Sequence, residues 1–146
     1  NTIIGQRLVR RLSSKRVPIA SNEREVLSIR ETVGMILPQT PQDVARASQD
    51  LGYKDLPLAT QNAYTLMQGQ DSPQTPGGYK GRVGLYEVMD VSENIQNLIV
   101  KRATSAEIQR QAVSEGMITM RQDGYLKALQ GLTTLEEVNR VAANMA

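Results

Sequence analysis

The sequence predicts a mainly α-helical chain with a small β component. Two patterns and one compositional fact carry that prediction. Helix-start signatures of the form Ser/Thr/Asn-x-x-Glu/Gln recur along the chain, several leading into an apolar stripe at helical spacing. One stretch, "RVGLYEV" (Arg82–Val88), alternates Val83, Leu85 and Glu87 against Gly84, Tyr86 and Val88, as a strand does. Hydrophobic residues make up 40% of the chain with no Phe and no Trp, so the core must be built from Leu, Ile, Val, Met and Ala.

Three zones follow in chain order. The first, Asn1–Arg16, holds five basic residues (Arg7, Arg10, Arg11, Lys15, Arg16) and no acid. Ile4, Leu8 and Leu12 share a helical face, yet "RLVRRL" also reads as a short strand, and periodicity does not choose over so few residues. The second zone, Val17–Gly78, reads as helical. Asn22 and Glu25 form a capping box ahead of the stripe Val26, Ile29, Val33, Ile36 and Leu37, which Pro38 ends. Thr40-Pro41 opens a second helix with Val44, Ala47 and Leu51 inward and Gly52 behind. A third helix is expected from near Pro57 to Gln68, and "DSPQTPGG" (Asp71–Gly78) is a breaker-rich connection. The third zone starts with the Tyr79 strand. Helix starts follow at Ser92, at Thr104 with Glu107, at Thr119 with Gln122, and at Thr134 with Glu137. Gly116 and Gly131 close two of these helices, and Leu135, Val138, Val141 and Met145 stripe the last. Val26, Val33, Ile36, Val44 and Leu51 are expected to form a small apolar cluster of their own within the second zone.

Composition excludes several chemistries. There is no Cys and no His, hence no disulfide, no thiolate or imidazole metal ligand and no imidazole base. The formal net charge of +2 is too small to argue for nucleic acid. No apolar run approaches membrane-spanning length. The first residue is Asn rather than Met, which suggests a piece of a longer protein.

"GGYKGR" (Gly77–Arg82) looks at first like a phosphate loop. A P-loop needs Gly, four residues, then Gly-Lys-Ser/Thr opening a helix, and a dinucleotide fingerprint also needs a helix after its glycines. Here the glycines lead into a strand, so a turn is expected, with Gly84 marking a bulge or a close approach. "TPQDVARASQDLGY", with helices expected on either side, suggests a helix-turn-helix, but it sets Asp43 and Asp50 against only Arg46 and Lys54, which argues against a DNA-facing helix. Glu23, Glu25, Glu136 and Glu137 sit at helix starts, where they complement the helix dipole, and no acid–base pair is indicated. The six Met residues are expected to fill core gaps. The basic run Arg7–Arg16 is expected to be a solvated face or to meet an acidic neighbour at a subunit contact.

These residues resemble one family. "GYKGRVGLYEVMDV" (Gly78–Val91) and "EGMITMRQDGYLKALQGLTTLEEVNRV" (Glu115–Val141) look like the C-terminal part of the type IV pilus assembly and type II secretion ATPases. "GQRLVRRL" (Gly5–Leu12) resembles the segment just after that family's RecA-like nucleotide-binding motifs, and "NIQNLI" (Asn94–Ile99) is similar to a helical motif of the related retraction ATPases. The resemblance implies that Arg7–Leu12 and Arg82–Val88 pair as strands at the edge of a RecA-like α/β core. The chain then divides into the end of that core (1–16), a helical insertion (17–78), and a return strand with a C-terminal helical bundle (79–146).

It implies a segment of a hexameric motor ATPase, cytoplasmic and peripheral to the inner membrane, that contacts its own upstream core, neighbouring copies and an inner-membrane platform protein but no nucleic acid. ATP and Mg would belong to the longer protein, with no catalytic, cofactor or metal residue in this segment. The alternative is an autonomous helical protein-interaction module. Many members carry two Cys-x-x-Cys pairs that hold zinc; the corresponding positions here are Ser13 and Arg16, then Asp71 and Gln74.

Overall fold

The structure, a computed structural model, describes residues 1–143. Met145, expected on the last apolar stripe, lies outside the described residues. The described residues form two antiparallel two-stranded ribbons and six α-helices. The strands are β1 (Thr2–Leu12), β2 (Arg16–Ala20), β3 (Thr65–Gly69) and β4 (Tyr79–Asp90). The helices are α1 (Glu23–Val33), α2 (Val44–Leu51), α3 (Glu93–Val100), α4 (Ser105–Ser114), α5 (Met120–Leu129) and α6 (Leu135–Ala142). β1 pairs with β4, and β2 pairs with β3, so the second ribbon is nested within the excursion that joins the strands of the first.

The first zone is therefore a strand. β1 and β4 pair with Arg7 opposite Leu85 and Val9 opposite Val83, as the resemblance implied, and the pairing runs on to Thr2 opposite Asp90. β1 spends its apolar residues on both faces: Val9 is 1% exposed, whereas Ile4 is 65% exposed. The ladder slips between Arg10 and Leu12. The β4 residue in that stretch with left-handed backbone is Gly81, at φ +80°, so the irregularity lies there and not at Gly84. Gly84 instead lies beneath the Tyr86 ring: a β-carbon added to it would meet Tyr86 atoms at 2.7–2.9 Å.

The second zone departs most from expectation. Its middle contains two helices, not three. The stretch expected as a helix from Pro57 to Gln68 is irregular and then becomes β3. Leu66 and Met67 lack a helical stripe that continues, and ladder pairing with Ile19 and Pro18 outweighs their local preference. α1 stops at Val33, before Pro38, so Ile36 and Leu37 pack from the turn that follows, where both amides reach the Val33 carbonyl. The Thr40-Pro41 start gives one 3-10 turn before α2, and the Thr40 hydroxyl bonds Asp43 rather than capping a backbone N–H.

The expected separate cluster in 17–78 is not formed. Val26, Ile29 and Val33 of α1 are buried with Leu85 of β4, Tyr125 and Leu126 of α5, and Val138 of α6 in a single core. Ile36 and Leu51 pack against that core from partly buried positions. α5 is its centre, touching β4, α1, α6 and β3. The Met expectation splits: Met120 is buried, but Met35 is 72% exposed.

Candidate functional site

The sequence singles out no catalytic, cofactor-binding or metal-binding residue, so the candidate site is built from what the fold leaves uncovered and how it is held. The glycine-rich stretch forms a 3-10 turn at Pro76–Gly78 and runs straight into β4. Its amides open a strand, which is not the strand-loop-helix geometry that cradles phosphate.

The four positions matching the family's zinc cysteines lie where the excursion leaves and returns. Ser13 Oγ accepts the Lys15 amide at 3.0 Å, the Arg16 guanidinium donates to the Gly131 carbonyl, and the Asp71 carboxylate accepts the Gly77 amide at 2.7 Å. A hydroxyl, a guanidinium, one carboxylate and an amide side chain do not make a zinc donor set, and Arg16 places a cation where a ligand would sit. Hydrogen bonds close the excursion here instead. The Ser13 amide reaches the Gly78 carbonyl and the Gln70 amide reaches the Lys15 carbonyl, each at 2.9 Å. At the crossing, Gly69 and Gly78 meet backbone to backbone: a β-carbon on Gly69 would lie 2.0 Å from the Gly78 carbonyl oxygen.

The β1–β4 ribbon is fixed to the helices at both edges and along one face. On its inner face Val9, Val83 and Leu85 turn toward the core, and Glu87 accepts the Met120 amide at 3.1 Å. At the β1 edge Glu137 of α6 accepts the Arg10 amide at 2.8 Å and its guanidinium at 2.6 Å, while Arg140 donates two further bonds. Burial pushes the Glu137 carboxyl up, but the bonds from Arg140 and Arg10 outweigh it and bring the group down to about 2. Thr134 still caps α6 through the Glu137 amide, but the expected reciprocal bond is missing because the carboxylate is turned to the arginines. The boxes at Asn22, Thr104 and Thr119 are complete, as expected.

At the β4 edge Asp123 accepts the Tyr86 amide at 2.9 Å and the Tyr53 hydroxyl at 2.6 Å, and it pairs with Lys127. Burial, together with that bond to Asp123, pushes Tyr53 well above the ordinary tyrosine range. The sequence foreshadowed neither hub: Asp123 and Glu137 both fall in the first turn of a helix, where a dipole role already explains an acid.

The outer face is left bare. Ile4 faces Val88, Gln6 faces Tyr86, Leu8 faces Gly84, and Arg10 faces Arg82. Ile4, Leu8, Tyr86 and Val88 are 65%, 45%, 44% and 49% exposed. Gln6 bonds the Tyr86 hydroxyl across the strands, and Lys127 lies 4.9 Å from the Tyr86 ring centre. The result is an apolar stripe with Arg82 and the Glu137-paired Arg10 at one end, a surface suited to packing against another body.

The profile of the family described as "Type II/IV secretion system protein" matches residues 1–140. The chain is 37% identical over 141 residues to a Type IV pilus assembly ATPase, PilB, of Pseudomonas aeruginosa, an alignment that covers 97% of this chain and 21% of that protein. It is 33% identical over 144 residues to the Type IV pilus assembly ATPase PilB of Acinetobacter baylyi, covering 98% of this chain and 21% of that protein. To the Type II secretion system protein E of Xanthomonas campestris pv. campestris it is 33% identical over 141 residues, 97% of this chain and 21% of that protein. The chain thus spans about a fifth of the length of these relatives. With a profile match over nearly its whole length, this chain belongs to the type II/IV secretion system protein family.

Proposed function

We propose that the chain is the C-terminal part of a hexameric motor ATPase that powers type IV pilus assembly or type II secretion, and that it supplies packing and subunit contacts rather than catalytic groups. The observation that carries this reading is the bare outer face of the β1–β4 ribbon. Four apolar side chains stand exposed on a ribbon whose other face and both edges are anchored, and about four-fifths of each relative's length lies outside the match and is there to cover such a face. In this reading 1–16 and 79–146 end and follow a RecA-like core, whose sheet the ribbon borders. The segment 17–78 is an insertion between the paired strands, closed without zinc. ATP and Mg bind upstream. Among the described residues no helix is long and apolar enough to cross a membrane, which is compatible with a cytoplasmic protein peripheral to the inner membrane that acts on a platform protein there.

The test uses the longer protein and the isolated chain together. Leu8→Asp with Val88→Asp should leave the isolated chain folded, because both side chains already face water. The same pair should abolish ATP hydrolysis and hexamer formation in the longer protein, since burying two carboxylates against an apolar partner costs several kcal/mol, on the order of the stability of a subunit contact. Full activity of the doubly substituted longer protein would overturn the reading.

A further inference from the structure

A second uncovered surface lies among the helices. α4 packs chiefly on α3, and a groove of about 730 Å³ runs between it and the neighbouring α1 and α5. We propose that this groove docks an amphipathic helix of a protein partner that presents carboxylates beside its apolar face.

The groove walls fit that chemistry. Met35, just after α1, and Val113 of α4 line it at 72% and 40% exposure. An exposed Met is flexible and polarisable, so it adapts to an incoming apolar side chain. Two cations, Arg110 of α4 and Arg121 of α5, line the same groove against a single acid, Glu31. Among the described residues neither guanidinium forms an ion pair; Arg121 reaches Asn139 at 3.4 Å and the Tyr125 hydroxyl at 3.3 Å, and lies 5.2 Å from the centre of the Tyr125 ring. Two guanidiniums flanking apolar walls match carboxylates flanking an apolar stripe.

The occupant is a helix because all three walls are helices with their backbone groups already paired. No strand edge is offered, so the ligand must satisfy its own backbone.

The test uses the full chain, isotopically labelled, and two synthetic helical peptides of about 18 residues. Both carry Leu at i, i+3, i+4 and i+7; one carries Glu on its flanks, the other Lys. The acidic peptide should shift amide resonances of α1, α4 and α5 around Thr32, Val113 and Arg121, and the shifts should weaken as salt is raised. Arg110→Glu, an exposed change that leaves the core untouched, should weaken that binding about tenfold while the remaining spectrum stays in place. Binding of the Lys peptide as tightly as the Glu peptide, shifts on the outer face of the β1–β4 ribbon instead, or no binding by either peptide would each overturn the proposal. The ribbon's own role is tested separately, by the Leu8→Asp and Val88→Asp pair.

Discussion

Glu137 is the residue on which the junction between ribbon and helices turns. It is 2% exposed and accepts from Arg10, Arg140 and the Arg10 amide. Its folded value of about 2 lies below the ordinary glutamate value of about 4.3, so its contribution to stability is complete above the ordinary value and is lost as pH falls toward the folded one. Glu137→Gln keeps the shape and removes the charge. It should lower unfolding free energy by about 1–3 kcal/mol at pH 7, the scale of hydrogen bonds to charged groups. The two arginines are half exposed and can turn to water, which keeps the loss below that of a fully buried pair. Urea unfolding from pH 7 down to pH 3 should show the gap between native chain and variant narrowing below about pH 4. A gap that stays constant with pH would mean that the carboxylate charge contributes nothing.

The same residue shows what sequence conceals. Thr-x-x-Glu announced a helix start correctly, because capping chemistry is local. It gave no sign that the carboxylate would be taken by an arginine 127 positions away.

At the scale of elements, locally encoded features were legible and long-range ones were not. The helix starts at Asn22, Ser92, Thr104, Thr119 and Thr134 all carry the expected side-chain cap. β4 was visible from its alternation. β2 and β3 were missed because each is five residues long and neither alternates cleanly; their register is set by each other and by the crossing at Gly69 and Gly78. That crossing makes a sharp prediction. Gly69→Ala would drive a β-carbon into backbone, so the chain must open there, at a cost of at least about 2 kcal/mol. Hydrogen exchange should quicken first at the Ser13 and Gln70 amides, which bridge the two ends of the excursion. Wild-type exchange at those amides in the variant would mean the crossing is not what closes the excursion. A chelator, by contrast, should leave the melting temperature of the native chain unchanged, because no zinc-linked folding energy is available from Ser13, Arg16, Asp71 and Gln74. A chelator-induced drop in melting temperature would contradict that closure.

At the scale of the whole molecule, the excursion and the C-terminal helices share one core. Composition pointed to an interior of Leu, Ile, Val, Met and Ala, yet Tyr64 and Tyr125 are the largest fully buried side chains in the core among the described residues; pattern alone also placed the α1 stripe in a cluster apart. The stripe was read correctly and its partner was not, since nothing in "EVLSIRETV" identifies the α5 residues it meets. Ile29, fully buried at their contact, should cost about 2–5 kcal/mol when cut to Ala. Exchange should then rise across α1, α5 and α6 together, and a rise confined to residues 21–68 would mean two separable cores.

The central claim, that this segment packs on an ATPase core through the outer face of its ribbon, is tested most directly by accessibility. The chain has no cysteine, so Leu8→Cys and Val88→Cys each introduce one reporter thiol. Maleimide labelling, read peptide by peptide by mass spectrometry, compares the isolated chain with the longer protein. The account predicts fast labelling at both positions in the isolated chain and labelling at least about tenfold slower in the longer protein, with an exposed control at Gln49→Cys on α2 unchanged. Equal rates in the two contexts would show that the face stays open to water, and would contradict the account.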